Sequence, residues 1–319
     1  MRILVIGCGS IGTRHIKNLL ALGYRDLLVY DADEAVKHAA AARFGITACE
    51  TVAKALDETD MALVCTPADS HVSLALLALR KMNAVFIEKP LSASMRGVEK
   101  LRKAAGKRVT VGFNVRFHPM VSAIKQLLPA IGTIYSAHME YAYFLPAARK
   151  GSFRTGYSAK KAQGGGVILD HLHEIDYGIA LFGKVHSVFG SAQKISNLDI
   201  QTEDTADIVL RFEKGFSCSL HLDYLQREYS RSVKIVAEKG VIEGNFAAGS
   251  LKFIHYGKGT TVKRFGKGFD NTYKDELRRF IACLKRRAAP AVGVDDAIHS
   301  LKVALAVKRS AAQRKVITL

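Results

Sequence analysis

The feature that most constrains this chain is a glycine-rich turn close to its start. An apolar run over residues 2–6 ends at the sequence GCGSIG, residues 7–12, and an amphipathic stretch follows. A strand that ends in G-x-G-x-x-G and continues into a helix is typical of a dinucleotide-binding βαβ unit. Gly7 allows the tight turn, Gly9 lets the backbone approach a pyrophosphate, and Gly12 lets the helix pack against the strand. The pattern predicts a phosphate site at the N-terminus of this helix.

Short β-branched runs alternate with amphipathic stretches through the first part of the chain. Strands are predicted over residues 2–6, 27–30, 61–65, 84–87 and 108–111, and helices over residues 10–22, 33–43, 70–80 and 94–105. Apolar strands separated by helices indicate a parallel sheet covered on both faces. We therefore predict an α/β fold that opens with a doubly wound Rossmann domain, residues 1–118. This context weighs against an ordinary glycine-rich turn in another kind of α/β protein.

After about residue 118 the strands alternate apolar with polar residues. They are predicted over residues 133–143, 187–194, 206–212, 216–224 and 233–237, with helices over residues 168–182, 271–287 and 295–311. Gly215 and Gly240 each end an EKG tripeptide between two strands, so we expect hairpin turns in which both glycines have a positive φ. The alternation predicts a second α/β domain, residues 119–319, with a large, open, mainly antiparallel sheet.

Charge and cysteine content narrow the class of partner. The chain has 47 Lys and Arg against 29 Asp and Glu, a formal net charge of +18. This charge would attract polyanions, but no nucleic-acid motif accompanies it, which favours an enzyme with anionic ligands over nucleic-acid binding. No apolar run approaches about 18 residues, the length of a membrane span. Five scattered cysteines form no metal-binding pattern and suit a reducing compartment. We expect a cytoplasmic protein without nucleic-acid, membrane or metal partners.

An acidic residue at the end of the second strand predicts which dinucleotide binds. Asp31 lies about 20 residues after the glycines, where a carboxylate accepts hydrogen bonds from the adenosine ribose. It would repel the 2′-phosphate of NADP, and no Arg or Lys is adjacent to offset that repulsion. Asp33 follows closely, and we expect one aspartate to cap the next helix while the other faces the ribose. NAD is therefore the predicted cofactor, and NADP is disfavoured.

Two further strand ends carry polar groups at the edge where nucleotides bind in open α/β sheets. Thr66 follows one strand, and the tripeptide Glu88-Lys89-Pro90 follows the next. Thr66 could equally serve only to stabilise a turn. A lysine at such an edge is more often solvated than catalytic. The predicted cofactor-binding residues are Gly7, Gly9, Ser10, Ile11, Gly12, Asp31, Thr66, Pro67, His71 and Glu88.

Four motifs together resemble the Gfo/Idh/MocA family of glucose-fructose oxidoreductase and inositol dehydrogenase. They are residues 7–15 (GCGSIGTRH), 88–90 (EKP), 112–119 (GFNVRFHP) and 164–170 (GGGVILD), and their order and spacing match over essentially the whole chain. The resemblance implies hydride transfer between NAD(P) and a hydroxyl or keto carbon of a sugar, cyclitol or sugar nucleotide. It implies that Lys89 is the active-site lysine, before a cis Lys-Pro bond, and that the protein is a homodimer or homotetramer.

The other catalytic candidates lie in the predicted helix over residues 168–182. Asp170 and His173 are spaced to share one helix face, and a histidine with a pKa near 6.5 suits proton transfer at neutral pH. Members such as inositol dehydrogenase usually separate this pair by four positions, whereas Asp170 and His173 are three apart, so the role of Asp170 is open. His171 competes for the role of base, but a helix turns it about 200° from His173. A buried, structural histidine is the alternative for His173, and the family motif favours catalysis.

Candidate substrate contacts complete the predicted site. Residues 157–161 and 170–177 resemble a branch of the family linked to bacterial surface-carbohydrate biosynthesis, and the positive charge favours an anionic sugar. Each of these candidate residues could contact the substrate or could equally make a hydrogen bond that only supports the fold. A non-catalytic, NAD-binding regulatory protein is the alternative for the whole chain, because a fold does not fix a function. The predicted substrate contacts are Asn114, Arg116, Tyr157 and Lys160.

Overall fold

The computed structural model describes residues 1–81, 83–149 and 153–319, which form two compact units. Residues 1–114 and 270–299 form the first unit, and residues 115–269 and 300–319 form the second. The predicted boundary at residue 118 lies close to the first change of unit. Residues 270–299, which the prediction gave to the second domain, belong to the first unit.

The first unit is built on a six-stranded parallel sheet. Its strands are β1 (Ile3–Ile6), β2 (Leu27–Tyr30), β3 (Thr47–Ala48), β4 (Met61–Val64), β5 (Ala84–Glu88) and β6 (Val109–Gly112), in the order β3-β2-β1-β4-β5-β6. Its helices begin with α1 (Ser10–Ala21), α2 (Glu34–Phe44), α3 (Val52–Asp57), α4 (His71–Arg80) and α5 (Val98–Ala105). This strand order is that of a Rossmann domain, which confirms the predicted fold. The sequence pattern missed β3 and α3, which are too short to show a period.

The register of the sheet brings the strand ends together. β1, β4 and β5 are buried along their whole length, because helices cover both faces of the sheet. Ile6 is in register with Tyr30 of β2 and with Val64 of β4, and Val64 is in register with Ile87 of β5. The residues that follow these strands therefore meet at one carboxyl edge.

The second unit contains a nine-stranded, mainly antiparallel sheet, as predicted. Its helices are α6 (Pro119–Leu127), α7 (Leu145–Ala148), α8 (Val167–Asp170) and α9 (Leu172–Phe182). Its strands are β7 (Ile134–Ala142), β8 (Val185–Gln193), β9 (Thr205–Phe212), β10 (Ser217–Asp223), β11 (Ser230–Ala237), β12 (Gly240–Asn245), β13 (Ser250–His255), β14 (Gly259–Arg264) and β15 (Ile317–Thr318). They lie in the order β14-β13-β12-β11-β7-β10-β9-β8-β15, and β7 with β10 is the parallel pair.

Two long helices lie near the end of the chain, α10 (Asp270–Lys285) and α11 (Val294–Gln313). The amphipathic pattern predicted both of them to within two residues at each end. Within the described residues, no helix has the length and apolar character needed to cross a membrane.

Two local predictions are wrong. The predicted helix over residues 168–182 is divided at His171, which has φ −94° and ψ 25°, so Asp170 ends α8 and His173 lies in the first turn of α9. The two side chains therefore do not share the face of one helix. Gly215 has the predicted positive φ of 89°, but Gly240 does not. A Cβ on Gly240 would lie 2.2 Å from the carbonyl oxygen of Ile254, so close strand packing requires this glycine.

Candidate active site

The turn between β1 and α1 uses its three glycines in different ways. Gly7 has φ 95°, and a Cβ there would lie 2.7 Å from the carbonyl oxygen of Cys65. A Cβ on Gly12 would lie 1.8 Å from the carbonyl oxygen of Gly7, whereas a Cβ on Gly9 would meet no atom within 4 Å. The backbone is therefore closely packed at Gly7 and Gly12 and open at Gly9. This shape lets a phosphate approach the amides at the start of α1.

The two aspartates after β2 divide their roles. Asp33 caps α2, because its Oδ1 accepts the backbone N–H groups of Ala35 and Val36. Asp31 accepts the N–H of Cys8 at 2.7 Å and that of Asp33 at 3.0 Å, so it ties the end of β2 to the glycine turn. Each Asp31 oxygen keeps a second lone pair. The carboxylate can still accept hydrogen bonds from ribose hydroxyls.

The loop after β4 is held by side chains of its own. Thr66 Oγ1 lies 2.6 Å from Ser70 Oγ. The His71 ring is buried, with Nε2 2.7 Å from the Thr66 carbonyl oxygen and Nδ1 2.8 Å from the Pro90 carbonyl oxygen. Burial lowers the pKa of His71, which favours the neutral ring. His71 thus connects the loop after β4 to the loop after β5, while direct cofactor contacts by Thr66, Pro67 and His71 stay predictions.

The Glu-Lys-Pro segment ends β5 at the same edge. The Lys89–Pro90 bond is cis, as the resemblance implied. Glu88 is buried, with Oε1 2.5 Å from His15 Nε2, and its Oε2 accepts the Lys89 N–H at 3.2 Å. The Lys89 side chain itself is half-buried. Glu88 therefore fixes the backbone of Lys89 and links it to α1.

The predicted substrate contacts differ in the hydrogen bonds and ion pairs that their side chains already make within the protein. Asn114 is buried and donates to Thr272 Oγ1 at 2.7 Å, within the first unit. In the second unit, the Arg116 guanidinium makes two hydrogen bonds of 2.7 Å to Asp176, and both side chains are largely buried. Lys160 is half-buried, and its ammonium makes no ion pair with the described residues. Of these three, Lys160 has the side chain most available to a ligand.

Asp170 is enclosed by donors within the second unit. Its carboxylate accepts hydrogen bonds from Tyr157 Oη, from Ser158 Oγ at 2.8 Å and from Tyr224 Oη at 3.0 Å. Arg149 Nη2 lies 3.3 Å from Asp170 Oδ2, and this ion pair raises the pKa of Arg149. A carboxylate with this many donors is stabilised as an anion. Asp170 therefore organises its surroundings, and Tyr157 is part of that network.

The two histidines after Asp170 have different surroundings. His171 is 1% exposed, and its ring centroid lies 4.3 Å from that of Tyr141, 5.1 Å from Tyr143 and 5.2 Å from Tyr224. His173 is half-buried. Of the two rings, His173 has the greater access to a ligand. This agrees with its assignment as the base over His171, although its catalytic role stays a prediction.

Some residues around the site were not predicted. The possible ligand atoms of His15, Glu88 and Glu276 all lie within 4.8 Å of one another, and the three residues are buried. His15 belongs to the first motif, but Glu276 lies in α10, far along the chain, where no local pattern marks it. The donors to Asp170 other than Tyr157 were also missed, because serine, arginine and tyrosine carry no signature of their own.

Two parts of the chain match one enzyme family. Residues 1–115 match the oxidoreductase family with an NAD-binding Rossmann fold, and residues 121–243 match the GFO/IDH/MocA C-terminal domain. The chain belongs to the GFO/IDH/MocA family. It is therefore an NAD-binding oxidoreductase, as the glycine turn, Asp31 and the four motifs predicted.

Similar proteins extend over the whole chain. The myo-inositol 2-dehydrogenase of Thermotoga maritima is 26% identical, with 100% of this chain and 98% of the relative covered. The scyllo-inositol 2-dehydrogenase (NAD(+)) of Bacillus subtilis is 26% identical, with 97% and 94% covered. A levoglucosan dehydrogenase solved in complex with NADH has a TM-score of 0.90 at 19% identity, with 100% and 98% covered. The structural likeness confirms the α/β architecture.

Proposed function

We propose that this GFO/IDH/MocA protein is an NAD-dependent dehydrogenase that acts on a hydroxyl-bearing carbon of a sugar, cyclitol or sugar nucleotide. The observation that carries the proposal is the position of Lys89. It lies at the carboxyl edge of the sheet that carries the glycine turn and Asp31, directly after β5. Relatives similar over the whole chain are named inositol dehydrogenases, which supports the substrate class.

The first unit fits a bound NAD. The open backbone at Gly9 and the N-terminus of α1 would receive the pyrophosphate. Asp31 would accept the ribose hydroxyls, and its charge would exclude the phosphate of NADP. When bound, NAD supplies the acceptor for the hydride. The chain's own residues orient the substrate and move the proton.

Lys89 would stabilise charge on the reacting oxygen. The Glu88 carboxylate and the proline ring fix its backbone on both sides, so its position is defined before substrate binds. An ammonium that donates to the hydroxyl oxygen stabilises the negative charge that develops as the O–H bond breaks. The same hydrogen bond would polarise the carbonyl in the reverse reaction.

His173 would take the hydroxyl proton on oxidation and return it on reduction. It lies in the first turn of α9, directly after the segment that Asp170 and its donors hold in place. We therefore assign Asp170 the role of positioning the start of α9, with an indirect effect on catalysis. Asn114, Arg116, Tyr157 and Lys160 remain proposed substrate contacts, of which Lys160 is the strongest candidate for binding an anionic group.

The setting of the enzyme is also a proposal. All five cysteines are free, which suits the reducing cytoplasm. Tyr135, Phe189 and Val209 are exposed apolar residues on strands of the second sheet, and Phe189 pairs with Val209 across β8 and β9. We propose a homodimer or homotetramer through this sheet on the basis of the exposed Phe189–Val209 pair. We propose no nucleic-acid partner and no membrane partner.

A substrate screen tests the function. Purified protein is mixed with NAD and sugars, cyclitols and sugar nucleotides, anionic members first, and nicotinamide absorbance is followed in both directions. NADP is the matched control. We expect turnover with NAD and little with NADP. Tight NAD binding without any absorbance change across the panel would contradict the proposal and indicate an NAD-binding regulatory protein.

A further inference from the structure

A buried group of three titratable side chains lies at the end of β5 in the first unit. His15 comes from α1, Glu88 from β5 and Glu276 from α10, and their relative exposures are 0%, 6% and 4%. Their possible ligand atoms lie within 4.8 Å of one another. The mechanism proposed above uses Glu88 but gives Glu276 no role.

The two carboxyl groups have unequal surroundings. Both oxygens of Glu88 meet nitrogen groups, because Oε1 lies 2.5 Å from His15 Nε2 and Oε2 accepts the Lys89 N–H. Neither oxygen of Glu276 meets a hydrogen-bond partner among the residues described. A buried carboxylate without donors is costly as an anion, whereas a neutral carboxyl group is far less so. The proton that relieves repulsion between the two carboxyl groups therefore belongs on Glu276.

The distances do not favour a metal ion at this group. Ligand atoms about 2.0–2.2 Å from a tetrahedral zinc stand roughly 3.3 Å from one another. His15 Nε2 and Glu88 Oε1 lie closer together than this, because they are hydrogen-bonded directly to each other. The contact is complete without an ion between the two atoms.

We propose that Glu276 holds one proton beside Glu88, so that Glu88 stays the acceptor that fixes His15 and the Lys89 backbone. Glu276 is then a positioning residue for Lys89, and this part rests on the function proposed for Lys89.

The surroundings of Glu276 support a held proton. Burial, and then the charge of Glu88, raise the pKa of Glu276 well above its usual range. Cys65 and Tyr273 also face the group, and burial raises the pKa of Tyr273 to about 12 and that of Cys65 well above its usual value. Both are therefore neutral near pH 7. The groups that determine the charge of the cluster are His15, Glu88 and Glu276.

Three variants distinguish the effect of the proton on Glu276 from the effect of the volume of its side chain. Glu276→Gln keeps the shape and a hydrogen-bond donor but cannot titrate. Glu276→Leu keeps an apolar bulk without polar atoms. Asp275→Asn removes a carboxylate from the neighbouring position of α10, where the side chain is 45% exposed, and is the matched control.

The first readout is the dependence of Tm on pH. A carboxyl group whose pKa is raised on folding contributes stability below its unfolded pKa of about 4.3 and loses it as pH rises through the folded value. The Tm of Glu276→Gln minus that of the wild type should therefore increase between about pH 5 and pH 9, while the Asp275→Asn difference stays flat. A flat difference for Glu276→Gln would overturn the held proton. Zn²⁺ or Mn²⁺ that raises the Tm of the wild type but not of Glu276→Gln would also overturn it, in favour of a metal site.

The second readout separates kcat from NAD binding. Glu276→Gln should keep kcat within about threefold of the wild type, because a neutral amide of the same shape replaces the neutral carboxyl group beside Glu88. Glu276→Leu should lose about tenfold or more in kcat, because an apolar side chain beside Glu88 disfavours the charge of Glu88 and weakens the bonds that fix the Lys89 backbone. Calorimetry should find its Kd for NAD within about twofold of the wild type. Wild-type kcat in Glu276→Leu would overturn the positioning role. The Tm measurement needs no catalysis. It therefore tests the held proton even if the protein proves to have no dehydrogenase activity.

Discussion

Asp31 has a structural task and, in our proposal, also selects the cofactor. Its two oxygens accept backbone N–H groups on either side, from Cys8 and from Asp33. These bonds hold the negative charge in a fixed position at the end of β2, next to the glycine turn. A fixed charge discriminates against a 2′-phosphate more sharply than a mobile one, because it cannot move away from the phosphate without losing its hydrogen bonds.

Replacement of Asp31 by serine should shift the cofactor preference. In Asp31→Ser we expect kcat/KM for NAD to fall about 10- to 100-fold and the NAD-to-NADP preference to fall as well, because the ribose acceptor and the repulsive charge are both lost. Steady-state kinetics with both cofactors provides the measurement. Asp33→Ser is the control, since Asp33 caps α2 and serine also caps helices. An unchanged preference in Asp31→Ser would contradict the role of Asp31.

Individual site residues were predictable where local sequence alone defines them. The glycines and the Lys89–Pro90 segment follow from motifs of a few residues, whereas the sequence left open which of Asp31 and Asp33 caps α2. Glu276 could not be predicted in this way, because an isolated glutamate on an amphipathic helix is usually on the solvent face. Its importance arises only when α10 brings it to the end of β5.

The turn between β1 and α1 is the element on which the proposed binding of NAD depends. Substitutions at its glycines should affect the stability of the fold and the binding of NAD separately. Gly12→Ala should unfold or strongly destabilise the protein, because a Cβ there would lie 1.8 Å from the Gly7 carbonyl oxygen. Gly9→Ala should keep the Tm of the wild type, because its Cβ meets nothing within 4 Å, yet weaken NAD binding by tenfold or more, since the methyl group would occupy the path of the pyrophosphate.

Thermal unfolding and calorimetric titration with NAD measure the two effects separately. Each variant serves as the other's control, because both add one methyl group to the same turn. A Gly9→Ala protein that binds NAD as tightly as the wild type would place the pyrophosphate elsewhere.

The break between α8 and α9 shows what periodicity cannot predict. Apolar residues continue through residues 167–182 with helical spacing, so the sequence favours one helix. The chain leaves the helical path at His171, whose ring lies among three tyrosines from β7 and from the loops after β7 and β10. Asp170 is held by its own donors at the same point. These contacts come from distant parts of the sequence, and no local pattern encodes them.

The first unit is assembled from two segments of the chain. Leu277, Phe280 and Ile281 of α10 belong to the same buried core as residues of β1, β2 and β4. Five of the six strands and the parallel, doubly wound sheet were predictable from residues 1–118, because each βαβ unit is local. The return of α10 was not, because an amphipathic helix shows which face is apolar but does not identify the surface that it covers.

A fragment of residues 1–118 should therefore fail to fold cooperatively. Without α10 it exposes the apolar surface that Leu277, Phe280 and Ile281 cover, which is worth about 1.5–3 kcal/mol for each side chain. Differential scanning calorimetry should find no sharp transition and no stabilisation by NAD, whereas the full chain shows both. A cooperative, NAD-stabilised transition in the fragment would show that the first 118 residues form a domain by themselves.

The central claim is that Lys89 and His173 carry out the chemistry, and the kcat of two variants tests it most directly. Lys89→Met keeps the bulk without the charge, and His173→Asn keeps a polar group without the base. With NAD saturation confirmed by calorimetry, we predict that each variant loses about 100-fold or more in kcat on the substrate found in the screen. Rates close to that of the wild type in both variants would contradict the account.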